Sequence, residues 1–438
     1  MPSFRDRLKR WHKTFESRKA LRIRYWVTAA LVLAATVWVR PYVEDYLNLI
    51  QVRYWLFQTL TEFSPRPLEP RFVKVVLIGD AEHWGLQLQG RSPTKRDYIA
   101  KLVDALDAAN ARVIALDFDL RNTDPSAKGA PGDYAEVPGD YKAETDMLMR
   151  TIARAAQRHK FVLAKTIRFG DRHDYKLGKD LYQIYGLCTA LGKDGKWQNP
   201  GTPALRLSPR AQRNISCGYI ALPYDMRLLP PRLKLESGGT IDSFSFAIAK
   251  AINPQIANAV TDRSYYGSYI PTATIASNNV ISAARDLLAQ NPGTMDNLNS
   301  QAVIVGGDWH VESTGSGRIV DTHETPIGEN SGALVHQNFA EAILDSRTYA
   351  FVPEWVLTLA EIAFGLMAAI LFAIWPRVIF KVAVFFGLCA ALLLLQWAML
   401  QIFGTFFEAF LPLLGLALHS IVERLLGHEP NFHLRPQF

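Results

Sequence analysis

Acidic side chains follow two apolar runs in the middle of the sequence. Asp80 and Glu82 come directly after the run at residues 72–79, and Asp117 and Asp119 end the second run. Ligands of an open α/β sheet bind beyond the carboxyl ends of its strands, so these four acids could line a binding pocket. The alternative is that they cap helices or close turns, as acidic residues after strands often do.

A second group of polar side chains lies near the end of the central region. Asp321 and His323 are two residues apart, Glu329 follows them, and His336 begins a predicted helix. Carboxylate and imidazole groups at this spacing can hold a metal ion, contact a small ligand, or hydrogen-bond a loop to the neighbouring helix. We favour hydrogen bonding in the loop, and we predict neither a metal nor another cofactor.

Two arginines, Arg91 and Arg96, flank a turn at Pro93 that precedes a predicted helix. Guanidinium groups bind anions and carboxylates through paired N–H donors, so the arginines could hold an anionic ligand or form a salt bridge to Asp80 or Asp117. We favour the salt bridge. The full set of candidate ligand contacts is Asp80, Glu82, Arg91, Arg96, Asp117, Asp119, Asp321, His323 and His336.

Signatures of catalysis are missing from the sequence. Residues 306–310 read GGDWH, which is superficially similar to a diguanylate cyclase signature but lacks the acidic residue after Asp308 and the surrounding cyclase pattern. No G-x-S-x-G, Walker or H-E-x-x-H motif occurs. We therefore predict that the chain is not an enzyme.

Apolar runs and helical periodicities alternate through the central region and predict the elements that position these residues. Buried strands are predicted at residues 72–80, 112–120, 161–167 and 302–308. Helices are predicted at residues 97–110 and 143–158. This alternation favours an α/β fold with a parallel or mixed sheet flanked by helices. Residues 170–235 lose the pattern and are predicted to form long loops or an insertion.

Three cysteines are too few for a disulfide framework or a four-cysteine zinc site. Cys188 and Cys217 lie in the polar middle of the chain. They could form one disulfide if that part of the protein faces an oxidising compartment. Cys389 lies within an apolar run.

Four apolar segments predict a membrane frame around the central region. Transmembrane helices are expected at residues 25–42, 354–376, 378–403 and 405–424. A cleaved signal peptide is the alternative for the first, but no small-x-small cleavage site follows it, so we favour a retained anchor. Glu361, Glu408 and His419 lie inside these segments and are expected to contact other helices or a partner rather than to transport protons.

Basic residues are concentrated before the first apolar segment. Residues 1–24 hold nine Lys or Arg and two acidic residues, which accounts for the formal net charge of +7 of the whole chain. No basic surface remains to indicate a nucleic-acid partner. The positive-inside rule places residues 1–24 and the tail at residues 425–438 in the cytoplasm, and residues 43–353 outside it.

Several stretches of the sequence resemble one known family. They are VEDYLNLIQVRYW, VKVVLIGD, Arg91-Ser92-Pro93 with Arg96, ARVIALDFDLRNTDP, DSFSFAIAKAI, AVIVGGD, VDTHETPIG and SGALVHQNFAEAIL. In order, spacing and membrane frame they are similar to the second class of CHASE domains, the extracellular sensory domains associated with bacterial cyclases and histidine kinases. The resemblance covers residues from about 43 to 425 and implies a sensory domain outside the cytoplasm.

The sequence departs from the family pattern in four places. The usual acidic pair after the first strand appears as GDAE at residues 79–82, and the Trp-Pro-Trp motif is reduced to SPT at residues 92–94. Ser331 replaces the proline before Gly332. The sequence also ends soon after the last apolar segment, where family members commonly carry a cyclase or kinase.

We expect a sensor or receptor in the bacterial inner membrane, whose outer domain binds a signal and passes it to a separate effector. The alternative is a non-sensing scaffold or structural subunit of an oligomeric envelope machine built on the same domain. Expected partners are the lipid bilayer, further copies of the chain, and the effector or the machine's other subunits. A transporter is disfavoured, because four spans without broken helices make a poor path.

Overall fold

The computed structural model of the protein divides into two compact units, Tyr54–Ala350 and Met1–Arg53 with Phe351–Phe438. It describes residues 49–64, 68–91, 94–120, 141–168, 182–183, 187–198, 202–222, 229–234, 239–260, 264–266, 270, 272–312, 320–350, 353–374 and 378–403. A few isolated positions between residues 27 and 35 and between residues 413 and 417 are also described.

The strands belong to the unit Tyr54–Ala350, and the longest of them have seven residues. In chain order they are β1 (Val73–Gly79), β2 (Val113–Leu116), β3 (Lys160–Lys165), β4 (Ile167–Arg168), β5 (Tyr182–Gln183), β6 (Lys196–Trp197), β7 (Leu205–Arg206), β8 (Ile215–Tyr219), β9 (Arg232–Lys234), β10 (Thr240–Asp242), β11 (Ser264–Tyr266), β12 (Ile281–Ala283), β13 (Ala302–Asp308), β14 (Thr322–Thr325), β15 (Gly328–Ser331) and β16 (Thr348–Ala350).

The helices occur in both units and include the longest elements of the structure. In chain order they are α1 (Leu49–Glu62), α2 (Asp80–His83), α3 (Arg96–Ala108), α4 (Tyr141–Ala155), α5 (Pro209–Asn214), α6 (Phe244–Ile252), α7 (Ile256–Ala259), α8 (Thr272–Ser277), α9 (Ala284–Leu288), α10 (Pro292–Leu298), α11 (Gly332–Leu344), α12 (Glu354–Ile374) and α13 (Val378–Phe403).

Six strands form one sheet in the order β12-β1-β13-β2-β3-β8. Every neighbouring pair in it is parallel. The predicted α/β fold is therefore confirmed, and the sheet is parallel rather than mixed. A parallel sheet is covered on both faces, which explains why its strands are continuous apolar runs instead of alternating ones. The strand predicted at residues 112–120 is longer than the observed strand, because β2 ends at Leu116.

Helices cover the two faces of this sheet. α3 packs against α4 and α9, whereas α6 and α11 pack against each other and form the second layer. Because side chains alternate along a strand, Val76 and Ile78 of β1 point into the core that α3 closes. α3 supplies the matching apolar stripe, in which Ile99, Leu102 and Leu106 are buried.

The order of the strands opens a gap at the carboxyl edge of the sheet. β13 lies between β1 and β2, and the chain leaves β1 toward α3 but leaves β13 toward α11 in the other layer. Ligands of parallel sheets bind at such switch points. Asp80, Asp117 and Asp308, which follow or end these three strands, therefore lie at one edge.

Where they are described, residues 170–235 contain the short helix α5, the main-sheet strand β8, and short strands that form antiparallel pairs. β4 pairs with β5, and β6 pairs with β7. Trp197 is fully buried, and its ring N–H donates to the carbonyl of Leu187 at 2.7 Å. Cys188 and Cys217 are joined in a disulfide with their Cα atoms 6.0 Å apart, so this segment is tied to β8.

Two helices of the other unit are long and apolar enough to cross a membrane, Trp355–Phe372 within α12 and Ile379–Phe403 within α13. They match two of the four predicted spans. The spans predicted at residues 25–42 and 405–424 lie outside the described residues except for isolated positions, and so do Glu408 and His419. Glu361 lies in α12 and its residue surface is only 1% exposed.

Candidate ligand-binding site

A cavity of about 270 Å³ lies at the carboxyl edge of the sheet. The segments that follow β2 and β8, the end of β13 and the start of α4 form its wall. The lining residues with functional or aromatic side chains are Asp117, Asp119, Asp321, Thr94, Phe118, Tyr141 and Trp309. The cavity therefore forms where the strand-end rule predicts it, and two of the four acids that follow strands line it.

Asp117 is the most constrained of the lining carboxylates. Its backbone N–H extends the sheet by donating to the carbonyl of Val305 at 2.9 Å. Its Oδ2 is sealed from solvent and has no hydrogen-bond partner among the described residues. Burial, with a smaller contribution from the nearby carboxylate of Asp321, raises the pKa of Asp117 well above its ordinary value.

Asp321 is held against the start of α11. Its φ of 59° lies in the left-handed region, and its carbonyl accepts the N–H of Gly332 at 3.0 Å. A Cβ at Gly332 would lie 2.2 Å from Oδ2 of Asp321, so a larger residue there would displace this carboxylate. The other oxygen of Asp321 pairs with Nε2 of His323 at 3.0 Å. Glu329 lies opposite Glu324 in the β14–β15 hairpin.

His336 belongs to a separate hydrogen-bond arrangement in the core. Its Nε2–H donates to the carbonyl of Ile220 at 3.1 Å, which leaves Nδ1 to accept from the hydroxyl of Ser245 at 3.0 Å. Burial lowers the pKa of His336 to about 4, so the ring is neutral. The structure thus pairs Asp321 with His323, whereas His336 interacts with both only electrostatically and hydrogen-bonds to other groups. No group of three side chains suited to a metal occurs among the described residues.

The two arginines pair with a residue that the sequence did not indicate. The prediction that Arg91 forms a salt bridge to Asp80 or Asp117 is wrong. Arg91 instead donates from both terminal nitrogens to Glu144 of α4, at 2.5 and 3.1 Å. The backbone N–H of Arg96 also donates to Glu144, at 3.0 Å. The favoured structural salt bridge is therefore present with a different carboxylate, one that lies about fifty residues further along the chain.

Arg96 also supports the cavity wall. It is 1% exposed, its guanidinium donates to the hydroxyl of Thr145 at 2.6 Å, and its Cζ lies 4.2 Å from the ring centroid of Tyr141. Burial lowers the pKa of Arg96, although Tyr141 and the carboxylates of Asp119 and Glu144 oppose that effect. The buried cation fixes Tyr141 at the cavity instead of facing a ligand itself.

Asp80 and Glu82 serve the structure beside the cavity. Asp80 accepts the backbone N–H and Nδ1 of His310, both at 2.7 Å, and these bonds outweigh burial and lower the pKa of Asp80. Glu82 accepts the N–H of Gly79 at 3.2 Å and the N–H of Arg285 at 3.1 Å. Both fit the alternative in which strand-end acids cap helices and close turns. Asp119 lines the cavity and accepts from Thr166 at 2.8 Å.

The two glycines of the GGDWH segment have a packing role at the end of β13. A Cβ at Gly306 would lie 2.5 Å from that of Ala333, and one at Gly307 would lie 2.2 Å from the ring of Trp309. Trp309 in turn stacks on His83, with ring centroids 4.3 Å apart and an interplanar angle of 6°. The missing side chains at Gly306 and Gly307 thus leave space for α11 and for the ring of Trp309, which lines the cavity. This glycine pair was the sequence signal that could have indicated Trp309.

A second concavity lies at the amino edge of the same sheet. It has a volume of about 640 Å³ and is lined partly by Asp104, Asp107, Arg158 and His159. Asp107 binds both the guanidinium of Arg158 and Nε2 of His159, the latter at 2.6 Å. Asp104 pairs with Arg154. Each acidic side chain that lines this concavity in the described part of the chain therefore has a basic partner.

The described structure combines a parallel α/β unit, which has a small cavity at its switch point, with two helices that are long and apolar enough to cross a membrane. The chain belongs to the CHASE2 domain family, whose family model matches residues 28–373. This confirms the resemblance found in the sequence, and CHASE2 domains are extracellular sensory domains. No curated protein and no solved structure gives a significant match to the chain.

Proposed function

We propose that the protein is a bacterial membrane receptor whose CHASE2 domain binds a small extracytoplasmic ligand in the carboxyl-edge cavity. One observation carries the proposal: the cavity is lined by Asp117, whose buried Oδ2 has no hydrogen-bond partner in the described structure. A buried acceptor without a partner destabilises the folded protein, so its presence calls for an explanation. A bound ligand that donates to Oδ2 would remove that cost.

The helix α11 supports transmission of the binding event. It starts at Gly332, in contact with Asp321 of the cavity, and ends near Glu341, whose Oε1 accepts the N–H groups of Arg71, Phe72 and Val73 at 3.0, 2.7 and 2.7 Å. Residues 345–353 then connect α11 to the apolar helix α12. A shift of α11 would therefore move the segments that precede β1 and α12. The ligand would favour one of two states by a free energy set by the difference between its affinities for them.

The membrane arrangement in this proposal follows the charge of the sequence. Residues 1–24 would lie in the cytoplasm and the CHASE2 domain outside it, in the inner membrane, with four spans of which α12 and α13 are the described ones. We propose further that the receptor forms homo-oligomers and passes its signal to a separate effector.

Ligand-dependent melting of the full-length chain in lipid nanodiscs tests the receptor. We expect at least one compound in a panel of extracellular metabolites to raise the Tm of the wild type, since a ligand that binds the folded state stabilises it by mass action. Asp104→Asn, at the exposed Asp104–Arg154 pair of the amino edge, should retain the shift. Asp117→Asn should lose it. A ligand shift that persists in Asp117→Asn would contradict the assignment of this cavity.

Copurification of the full-length chain from native membranes tests the partner. Recovery of a cyclase, kinase or phosphatase is the expected result. Recovery of self-oligomers or of envelope-machine components alone would instead favour the scaffold, in which the same domain has a structural role.

A further inference from the structure

The charge of the carboxyl-edge cavity is negative. Three carboxylates line it, those of Asp117, Asp119 and Asp321, and no Lys, Arg or His lines it in the part of the chain that the structure describes. Arg91 pairs with Glu144 and does not line the cavity. The buried guanidinium of Arg96 interacts electrostatically with Asp119, and His323 pairs with Asp321, so Asp117 is the lining carboxylate without a basic neighbour in the described structure. An anionic ligand would meet repulsion in this cavity, whereas a cation would meet attraction.

Asp117 also specifies what the ligand must offer. The sealed Oδ2 lacks a donor among the described residues, and the carboxylate of Asp321 is close enough to disfavour a second negative charge. A ligand ammonium would supply an N–H donor and a positive charge together, and charge-assisted hydrogen bonds are about twice as strong as neutral ones. A neutral hydroxyl would supply only the donor.

Apart from Thr94 and Tyr141, the other side chains of the wall are apolar, and the space is small. Ile99, Phe118, Leu120, Trp309 and Val320 line the cavity beside the carboxylates. Its volume of about 270 Å³ lies just below the roughly 300–1,000 Å³ of sites for drug-sized ligands. A short hydrocarbon body fits such a space, and aromatic rings attract cations as well as covering apolar surface.

We propose that the cavity binds a small organic cation, a protonated amine with a short apolar body whose N–H groups bind Asp117. The inference rests on the proposed receptor function and narrows its ligand to one chemical class.

Matched probes test the class by calorimetric titration of the full-length chain in nanodiscs of neutral lipid. The probes carry an n-butyl or a 2-phenylethyl body, each ending in an ammonium, a hydroxyl or a carboxylate group. We expect an ammonium member to bind at least about tenfold more tightly than its hydroxyl and carboxylate counterparts. Asp117→Asn should weaken that binding at least about tenfold, and Asp104→Asn should leave it unchanged.

Each other outcome overturns the cation class. Equal or tighter binding of the hydroxyl or carboxylate members, no binding of either amine, or amine binding that Asp117→Asn leaves intact would do so. If the metabolite panel still gives a Tm shift that depends on Asp117, the receptor function stands and only the proposal of a cationic ligand fails. If neither the metabolite panel nor the amine titration gives an Asp117-dependent response, both proposals fail.

A second variant guards against misfolding of Asp117→Asn. Asp321→Asn removes the second carboxylate at a position with φ of 59°, a conformation that asparagine tolerates well. It should also weaken amine binding, and unchanged amine affinity in a folded Asp321→Asn protein would count against the charge argument.

Discussion

The two edges of the parallel sheet treat their acidic residues differently. At the amino edge, Asp107 binds Arg158 and His159, and Asp104 binds Arg154. At the carboxyl edge, Asp117 faces a cavity with its Oδ2 buried and without a partner among the described residues. The larger concavity is thus the one whose charges are already matched by the protein.

This difference distinguishes carboxylates that stabilise the fold from a carboxylate that is available to bind a ligand. A paired carboxylate holds elements together and has little left to offer a ligand, whereas a buried carboxylate with a raised pKa is typical of functional sites. The size of a concavity, about 640 Å³ against about 270 Å³, points to the other edge. Our proposal places the site at the carboxyl edge because of the unmatched carboxylate there, not because of the size of the concavity.

The largest expected effect concerns the carboxylate that supports the carboxyl edge. Glu144→Gln leaves the guanidinium of Arg91, whose side chain is 7% exposed, without its counter-charge. Breaking one side of a buried pair costs about 3–5 kcal/mol, so Tm in thermal melting should fall strongly. Asp146→Asn, on the same helix and paired with an Arg150 that is 71% exposed, is the control and should cost at most about 1 kcal/mol. An equal fall in Tm in the two variants would contradict the distinction between the buried Arg91–Glu144 pair and an exposed surface pair.

The amino edge should lose stability when its central acid is neutralised. Asp107→Asn removes the charge that faces Arg158 and the buried His159, and we expect a loss of about 1–3 kcal/mol by urea unfolding. Asp104→Asn, whose pair is exposed on both sides, should change stability far less. A stable Asp107→Asn protein would mean that this edge is not held by its ion pairs.

The pH dependence of the free energy of unfolding should reveal the titration of Glu341, a second buried acid, which lies near the end of α11 at the amino edge of the sheet. Burial raises the pKa of Glu341 from 4.5 to about 7, although three backbone N–H groups favour its charged form. Its stabilising contribution is therefore full below about pH 4.5 and is lost as the pH rises through about 7. Glu341→Gln should abolish that loss and be more stable than the wild type at pH 8, on the order of 2 kcal/mol.

The difference between this variant and the wild type isolates Glu341 from His336. The pKa of His336 is lowered to about 4, so its contribution grows as the pH rises from about 4 to 6.5, in the opposite direction. Parallel pH profiles of the two proteins would show that Glu341 does not titrate in this range.

The smallest effect has the opposite sign at the carboxyl edge. Asp117→Asn removes a buried charge near Asp321, so it should stabilise the ligand-free protein by about 1 kcal/mol at pH 8. The gain should shrink at acid pH, where the wild-type carboxyl already carries a proton. Thermal melting at the two pH values measures both, and a destabilised variant would indicate that Asp117 has a structural partner after all.

The sequence predicted the parts of this domain that depend on local pattern. Continuous apolar runs identified β1, β3 and β13. The strand-end rule offered four acids as possible pocket residues, of which Asp117 and Asp119 line the cavity and Asp80 and Glu82 do not. The insertion of β13 between β1 and β2 was not predictable, because sheet order depends on crossovers between distant segments. The same limit hid Glu144 as the partner of Arg91, since only the packing of α3 on α4 brings them together.

The disulfide between Cys188 and Cys217 has a consequence for the biogenesis of the protein. It closes a sequence separation of 29 residues and ties the segment before α5 to β8, the edge strand of the sheet. A loop of this length contributes about 3–4 kcal/mol by restricting the unfolded chain. We therefore expect the domain to gain this stabilisation only in an oxidising compartment, and copies kept in a reducing environment to be less stable and more easily proteolysed.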